Sequence, residues 1–136
     1  MKEVQTLIPH RDPFLYVDTL LSCTSDEIIG TKIFSDTDSF LRGSFPEAYF
    51  VPGMILIEAM AQCGGAGIKK LGLASGVFGL ANIESARFHG GVEYEKTFRI
   101  VIRNLKTTER YFFQEGSGYV DGKLCLEARW TCIKFS

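Results

Sequence analysis

The sequence carries no excess of either charge. Its formal net charge is −1 over 136 residues, so no global field favours nucleic acid or a membrane surface. Its four cysteines, Cys23, Cys63, Cys125 and Cys132, show no CxxC spacing. With no signal peptide ahead of them, they read as reduced thiols of a cytoplasmic protein. Internal repeats, low-complexity tracts and linkers are absent, so a single domain over residues 1–136 with one core is expected. An uninterrupted apolar span is missing too. Residues Ala48 to Ile68 come near one, but Pro52, Glu58, Gln62 and the glycines Gly64, Gly65 and Gly67 break it. A buried helix of a soluble core is the reading, rather than a membrane crossing. The balance of 46% hydrophobic and 23% charged residues is that of an ordinary soluble globular protein.

Residues 2–8 have the pattern of a short helix stopped by Pro9. "FLYVDTLLSC" and "EIIGTKIF" read as two strands of a hairpin. "SDTDSFLRGSFPEAYF" is rich in turn formers and reads as a loop. Pro52 suits the first turn of a helix, where its missing N–H costs nothing. That helix is expected from Gly53 to Leu71, with Gly72 as its stop and Lys69 and Lys70 at the negative end of its dipole. It is apolar on nearly every face, so other parts of the protein must surround it.

The second half reads as β. "GVFGLANI" and "SARFHGG" look like two short strands. In "TFRIVIRNL", Phe98, Ile100 and Ile102 share one face, while Arg99 and Arg103 share the other. "ERYFFQEGSGYV" and "KLCLEARWTCIKF" flank Asp121-Gly122, the strongest hairpin signal in the chain. Periodicity alone supports an α+β class with an antiparallel sheet. A curved sheet wrapped around one helix explains both the element order and a helix apolar all round.

Glu58 is the one carboxylate within the apolar helix, and burying it is expensive unless it has a partner or a task. Gln62 lies one turn further on the same face, so the two imply a shared polar pocket. Gly53 opens the helix. Free N–H groups there can hold an oxyanion, and a glycine lets a ligand approach the backbone closely. An acid five residues beyond can exchange protons with a substrate whose carbonyl rests on those N–H groups, a layout for chemistry next to a thioester or ketone. The competing reading is structural: Glu58 pairs with an arginine or belongs to a buried polar network.

Three stretches carry a family resemblance that covers nearly the whole chain. "IPHRDPFLYVDTL" is similar to the motif L-P-H-R-x-P-F-L-L-V-D. "FLRGSFPEAYFVPGMILIEAMAQ" is similar to F-x-G-H-F-P-x-x-P-x-x-P-G-V-L-x-x-E-A-x-A-Q, and "IESARFHGGV" to I-D-x-A-R-F-K-x-P-V. Together they resemble the beta-hydroxyacyl-acyl carrier protein dehydratases, which have the hot-dog fold: an antiparallel sheet wrapped around one long central helix. The resemblance implies a lyase of fatty acid or related acyl-chain synthesis. It implies no metal and no cofactor of the protein's own, the substrate being carried on the phosphopantetheine of acyl carrier protein. It also implies chains paired edge to edge as a homodimer or higher oligomer, with no nucleic acid or membrane partner.

The resemblance further places the site at the dimer interface. Glu58 would act with a histidine of the neighbouring chain, and the Gly53 N–H would hold the thioester carbonyl. Gln62, Phe45, Pro52 and Met54 are expected to line the substrate. The family histidine sits in G-H-F-P, whereas this chain has Gly43, Ser44, Phe45 and Pro46. Ser44 thus occupies the base's position, and a serine hydroxyl has no useful base strength near neutral pH without a base beside it. Only two histidines exist. His10 is expected to fill a structural hydrogen-bonding role, and His89 to be a partly exposed strand-end residue. Cys63 is expected in the core, and Tyr49 and Phe50 in the core or a tunnel wall. Lys69, Lys70, Arg87, Arg99 and Arg103 read as solvated charges that an acidic carrier could meet.

Three functions follow. One is a dehydratase of hydroxyacyl thioesters with reduced or altered activity. The second is a non-catalytic or half-site subunit that pairs with a histidine-bearing hot-dog chain. The third is an acyl thioesterase in which Glu58 activates water.

Overall fold

A computed structural model describes residues 2–136. A short helix, α1 (Lys2–Leu7), precedes two strands, β1 (Thr19–Cys23) and β2 (Glu27–Ile33). A four-residue helix, α2 (Ser39–Arg42), and the long helix α3 (Gly53–Lys70) follow. Four strands complete the fold: β3 (Phe78–Phe88), β4 (Thr97–Thr107), β5 (Tyr111–Val120) and β6 (Lys123–Lys134). The strands form one antiparallel sheet in the order β1-β2-β4-β5-β6-β3.

Helix α3 begins directly after Pro52, and its end is a Schellman turn. Gly72 takes φ +70° there, and its N–H donates to the Lys69 carbonyl while the Leu73 N–H donates to that of Ile68. Glycine meets no Cβ penalty in that left-handed conformation. The inner face of the sheet holds the helix. Phe98, Ile100 and Ile102 of β4 are fully buried, as are Trp130 of β6 and Phe112 of β5. Gly116 and Gly118 lie on the same face of β5 and leave room for Trp130, Met60 and Phe98. Large residues beside small ones let the curved sheet close on the helix. One polar network threads this core. Gln114 donates to the Gly64 carbonyl and to Asn104 Oδ1, and its Oε1 accepts from Trp130 Nε1. No helix among the described residues is long and apolar enough to cross a membrane.

Three sequence expectations need correction. The first strand begins at Thr19 rather than at residue 14. Residues 14–18 are drawn off the ladder because the Tyr16 N–H donates to the Gln62 side chain and the Asp18 carboxylate accepts from Ile33 N–H and Lys32. The loop after β2 contains α2, whose N-terminal amides at Phe40 and Leu41 are capped by Asp38 Oδ1. The two short strands after α3 are one strand, β3, with register shifts between Leu80 and Asn82 and between Ile83 and Ser85. Bulges of this kind break the alternation on which a sequence reading depends. Strand β3 pairs only with β6, and its residues from Leu80 to Phe88 are exposed.

Candidate functional site

Glu58 is held by Gln62. Gln62 stands one helical turn away, and its Nε2 donates to Glu58 Oε2 at 2.9 Å and to the Phe14 carbonyl at 3.0 Å. Its Oε1 accepts the Tyr16 N–H at 2.8 Å. Gln62 is buried, and these bonds satisfy both ends of its amide. They also tie the segment after α1 to the middle of α3. Arg11 secures the same segment from the other side, donating to the carbonyls of Gln5, Ile8 and His10. A cation that caps the last carbonyls of a helix in this way also suits its dipole.

This double tether delivers His10 to Glu58. His10 Nε2 stands 3.7 Å from Glu58 Oε2, with both side chains about three-quarters buried at 28% and 24% exposure. The ring lies nearly parallel to that of Phe14. Burial pushes the His10 pKa below its ordinary value. The Glu58 charge works in the opposite direction, and the Lys69 and Arg11 charges lower it further. His10 is therefore neutral near pH 7. The structural hydrogen-bonding role expected of it is absent, because Nδ1 is buried without a partner and Nε2 lies beyond hydrogen-bond reach of Glu58.

Both residues line a cavity of about 250 Å³ between α3, the segment around His10, and strands β3, β5 and β6. Its apolar wall includes Ile8, Phe14, Phe78, Leu80 and Phe112, and Gln62, Lys69 and Cys132 complete it. An apolar cavity with a few convergent polar groups is the usual form of a small-molecule site. Burial raises the Cys132 thiol pKa to about 12, so it stays protonated. Cys63 is fully buried and its pKa is raised as well, which makes it a core residue and not a nucleophile.

The other expected site residues lie elsewhere in the protomer. Ser44 is exposed and lines a separate hollow with Phe45, Pro46, Glu47 and Ala48. Gly53 lines a third cavity with Val51, Leu56, Phe88, His89, Gly90 and Gly91. A Cβ on Gly53 would come within 2.7 Å of the Phe88 ring, so a larger residue would displace that ring. Pro52 caps α3, and Met54 is 82% exposed. Tyr49 and Phe50, expected in the core or a tunnel wall, are exposed as well. Tyr49 donates to Asp36 and stacks with Arg42, which also lies over Tyr94. His89 follows β3 and pairs with Glu127 at 2.9 Å. Among the basic residues, Lys70 pairs with Glu3 and Arg103 with Glu115, while Lys69 turns to the Glu58 cavity.

His10 is thus the site residue that the sequence reading set aside. It lies 48 positions from Glu58, and no local spacing links them. Its signals were scarcity, since the chain has only two imidazoles, and its place in the IPHRDPF stretch that carries the resemblance.

The chain has relatives among known proteins. A family model described as a FabA-like domain matches residues 8–129. The 3-hydroxyacyl-acyl-carrier-protein dehydratase FabZ of Oleidesulfovibrio alaskensis is 33% identical over 135 residues, covering 96% of this chain and 88% of the relative. The protein of the same description from Solibacter usitatus is 32% identical, with 97% and 83% covered. In fold, the chain is similar to the dehydratase heterocomplex ApeI:P of Xenorhabdus doucetiae, with a TM-score of 0.83 at 19% identity over 98% of this chain and 91% of that one. A hypothetical thioesterase of Streptococcus pneumoniae shares the fold at a TM-score of 0.67 and 12% identity, with 87% and 88% covered. The expected hot-dog fold is the observed one. With a family match over residues 8–129 and relatives about a third identical along nearly its full length, the chain belongs to the FabA-like domain family.

Proposed function

We propose that this protein is a beta-hydroxyacyl-acyl carrier protein dehydratase, a lyase acting on acyl thioesters of fatty acid or related acyl-chain synthesis in the cytoplasm. The observation that carries the reading is Glu58. It is fixed by Gln62 in an apolar cavity, on a chain a third identical to 3-hydroxyacyl-acyl-carrier-protein dehydratases. The substrate would arrive on the phosphopantetheine of acyl carrier protein, with no cofactor of the protein's own. Elimination of water needs a base for the proton at C2 and an acid for the hydroxyl at C3. Glu58 can do one of these at a time. Ser44 stands at the position where the family supplies the base, and its hydroxyl cannot take that role unaided. The homomer is therefore a slow dehydratase.

Gly53 would hold the thioester carbonyl on its N–H, since the first N–H groups of a helix have no intrahelical partner. Pro52, Phe45 and Met54 would line the bound substrate, and Phe45 and Met54 are exposed in the single chain. Because Gly53 and Glu58 line different cavities of one protomer, a complete site of the family type requires a second chain. The free edge of β3 supports this. An exposed strand of 11 residues invites pairing with another strand, and Ile83 and Phe88 on it expose apolar surface.

The same two observations favour a second reading, a half-site subunit. A hot-dog partner bearing the histidine would pair along β3 and bring it to this chain's Glu58. The test uses purified homomer and a 3-hydroxybutyryl pantetheine thioester, following enoyl absorbance and thiol release separately. Slow enoyl formation that Glu58→Ala abolishes supports the dehydratase. Thiol release without enoyl formation identifies a thioesterase. Co-purification from the source cell with a histidine-bearing hot-dog chain that raises the rate supports the half-site reading, and a homomer at full enzyme speed removes it.

A further inference from the structure

We propose that His10 is a catalytic residue of this chain, the base that works with Glu58 within a single protomer on the hydroxyacyl thioester. The inference rests on the dehydratase reading and names the residue that performs the proton transfer Ser44 cannot.

Four observations place His10 in that role. It shares the cavity with Glu58, and its Nε2 is 3.7 Å from the carboxylate. That separation is too long for a closed hydrogen bond, so neither group is tied up by the other and both can face a third party in the cavity. Its Nδ1 is buried without a partner, an unusual condition for a buried polar atom and one that calls for an explanation. A histidine held only for structure would use that nitrogen. Finally, the ring is positioned by groups that leave its nitrogens free: Arg11 and Gln62 hold the backbone on either side, and Phe14 backs the face.

Charges around the ring set its state. Glu58 and Lys69 face it from α3, Arg11 lies beside it, and the neutral Cys132 thiol stands on β6 in the same cavity wall. Burial, Lys69 and Arg11 all favour the neutral ring, against Glu58. A neutral imidazole can accept a proton at pH 7.

The step balances within the pair. His10 Nε2 takes the proton from C2 of the substrate. The electron pair of that C–H bond forms the C2–C3 double bond, and the bond from C3 to the hydroxyl oxygen breaks. The proton that His10 takes up passes by way of Glu58 to the departing hydroxyl, which leaves as water, so both side chains end in the states in which they began. No other reactant is consumed.

The test compares wild type, His10→Gln, Glu58→Gln and Ser44→His on 3-hydroxybutyryl pantetheine thioester between pH 5 and 8. His10→Gln is expected to lower kcat by about 10²–10⁴ with KM changed no more than a few-fold. Wild-type kcat should fall on the acid side, at a pH below the ordinary imidazole range, as His10 takes up a proton, and this limb should vanish in His10→Gln. Circular dichroism checks that the variant is folded, and His10→Asn takes its place if it is not. Wild-type kcat and pH profile in a folded His10 variant overturn the inference, while loss of turnover in Glu58→Gln would still support the dehydratase. An inert wild type beside an active Ser44→His also overturns it and keeps the dehydratase reading. Inertness in both overturns the two together.

Discussion

Gln62 joins Glu58 to Tyr16: its Nε2 donates to the Glu58 carboxylate at 2.9 Å and its Oε1 accepts the Tyr16 N–H at 2.8 Å. One amide therefore orients the acid and anchors the segment that carries His10. Gln62→Leu keeps the volume but leaves the buried Tyr16 N–H without an acceptor. Such an orphan costs about 1–3 kcal/mol. The expected outcome is a lower urea midpoint with unchanged m, together with a drop in turnover larger than the change in KM. An unchanged midpoint would show that water replaces the amide at no cost.

Ser44→His should raise the dehydration rate of the homomer. Imidazole titrates near 6.5 and accepts a proton at neutral pH. Because His10 already supplies a base, the gain should stay below the factor of about 10²–10⁴ that a positioned general base contributes, and it needs the loop to aim the ring at the substrate. That loop is anchored at Tyr49 by Asp36 and by the Arg42 stack, so Tyr49→Phe in the Ser44→His background should reduce the gain. A misplacement of about 1 Å can cost roughly 10²-fold. A wild type already at ordinary enzyme speed, unaffected by Ser44→His, would show that Ser44 does not mark a missing base.

Stability should depend on pH through His10. Its folded pKa lies below the unfolded value, with burial the largest cause. Between those two values the unfolded chain binds more protons than the folded one, so stability falls as pH drops. The contribution is fully present above about pH 6.5 and is lost as pH descends through the lowered folded value. Urea midpoints measured from pH 7.5 to 5 should fall more steeply in wild type than in His10→Gln. Parallel curves would mean that burial does not hold the ring neutral.

Gly64→Ala tests how tightly the helix meets the sheet. A Cβ there would run into the Gln114 carboxamide, which is fully buried and holds three hydrogen bonds. Overpacking of this kind costs about 1–3 kcal/mol, and loss of the bond from Trp130 or of the bond to Asn104 would add to it. A thermal melt should shift down by several degrees. Gly65→Ala, where the nearest atom to the added Cβ is Phe112 Cζ at 3.8 Å, should be neutral or mildly stabilising, because alanine is the better helix former.

The long helix, its stop at Gly72, the β4 faces and the Asp121-Gly122 turn were legible because each is a local matter. Apolar period, a glycine at positive φ and a hairpin dipeptide act over a few residues. Asp121 and Gly122 both take positive φ, at 52° and 77°, as a type I′ turn requires. The interrupted reading of β3 failed for an equally physical reason. Its residues from Leu80 to Phe88 are all exposed in the single chain, and two bulges shift the alternation, so no period-2 pattern survives.

What the sequence determined by itself is the chemistry available. It held an acid and an amide one turn apart on a helix, a serine at Ser44, and two imidazoles in all. What only the tertiary structure decided is who meets whom. Glu58 and Gln62 would be neighbours in any helix, but His10 reaches them because Gln62 bonds to Phe14 and Tyr16, and Arg11 holds the end of α1. Ser44, Gly53 and Glu58, close in the chain, point into three different cavities. Helical and strand periods fix the direction of a side chain over a few residues. Which distant surface it faces depends on how the whole sheet closes around α3, and that is a property of packing rather than of spacing.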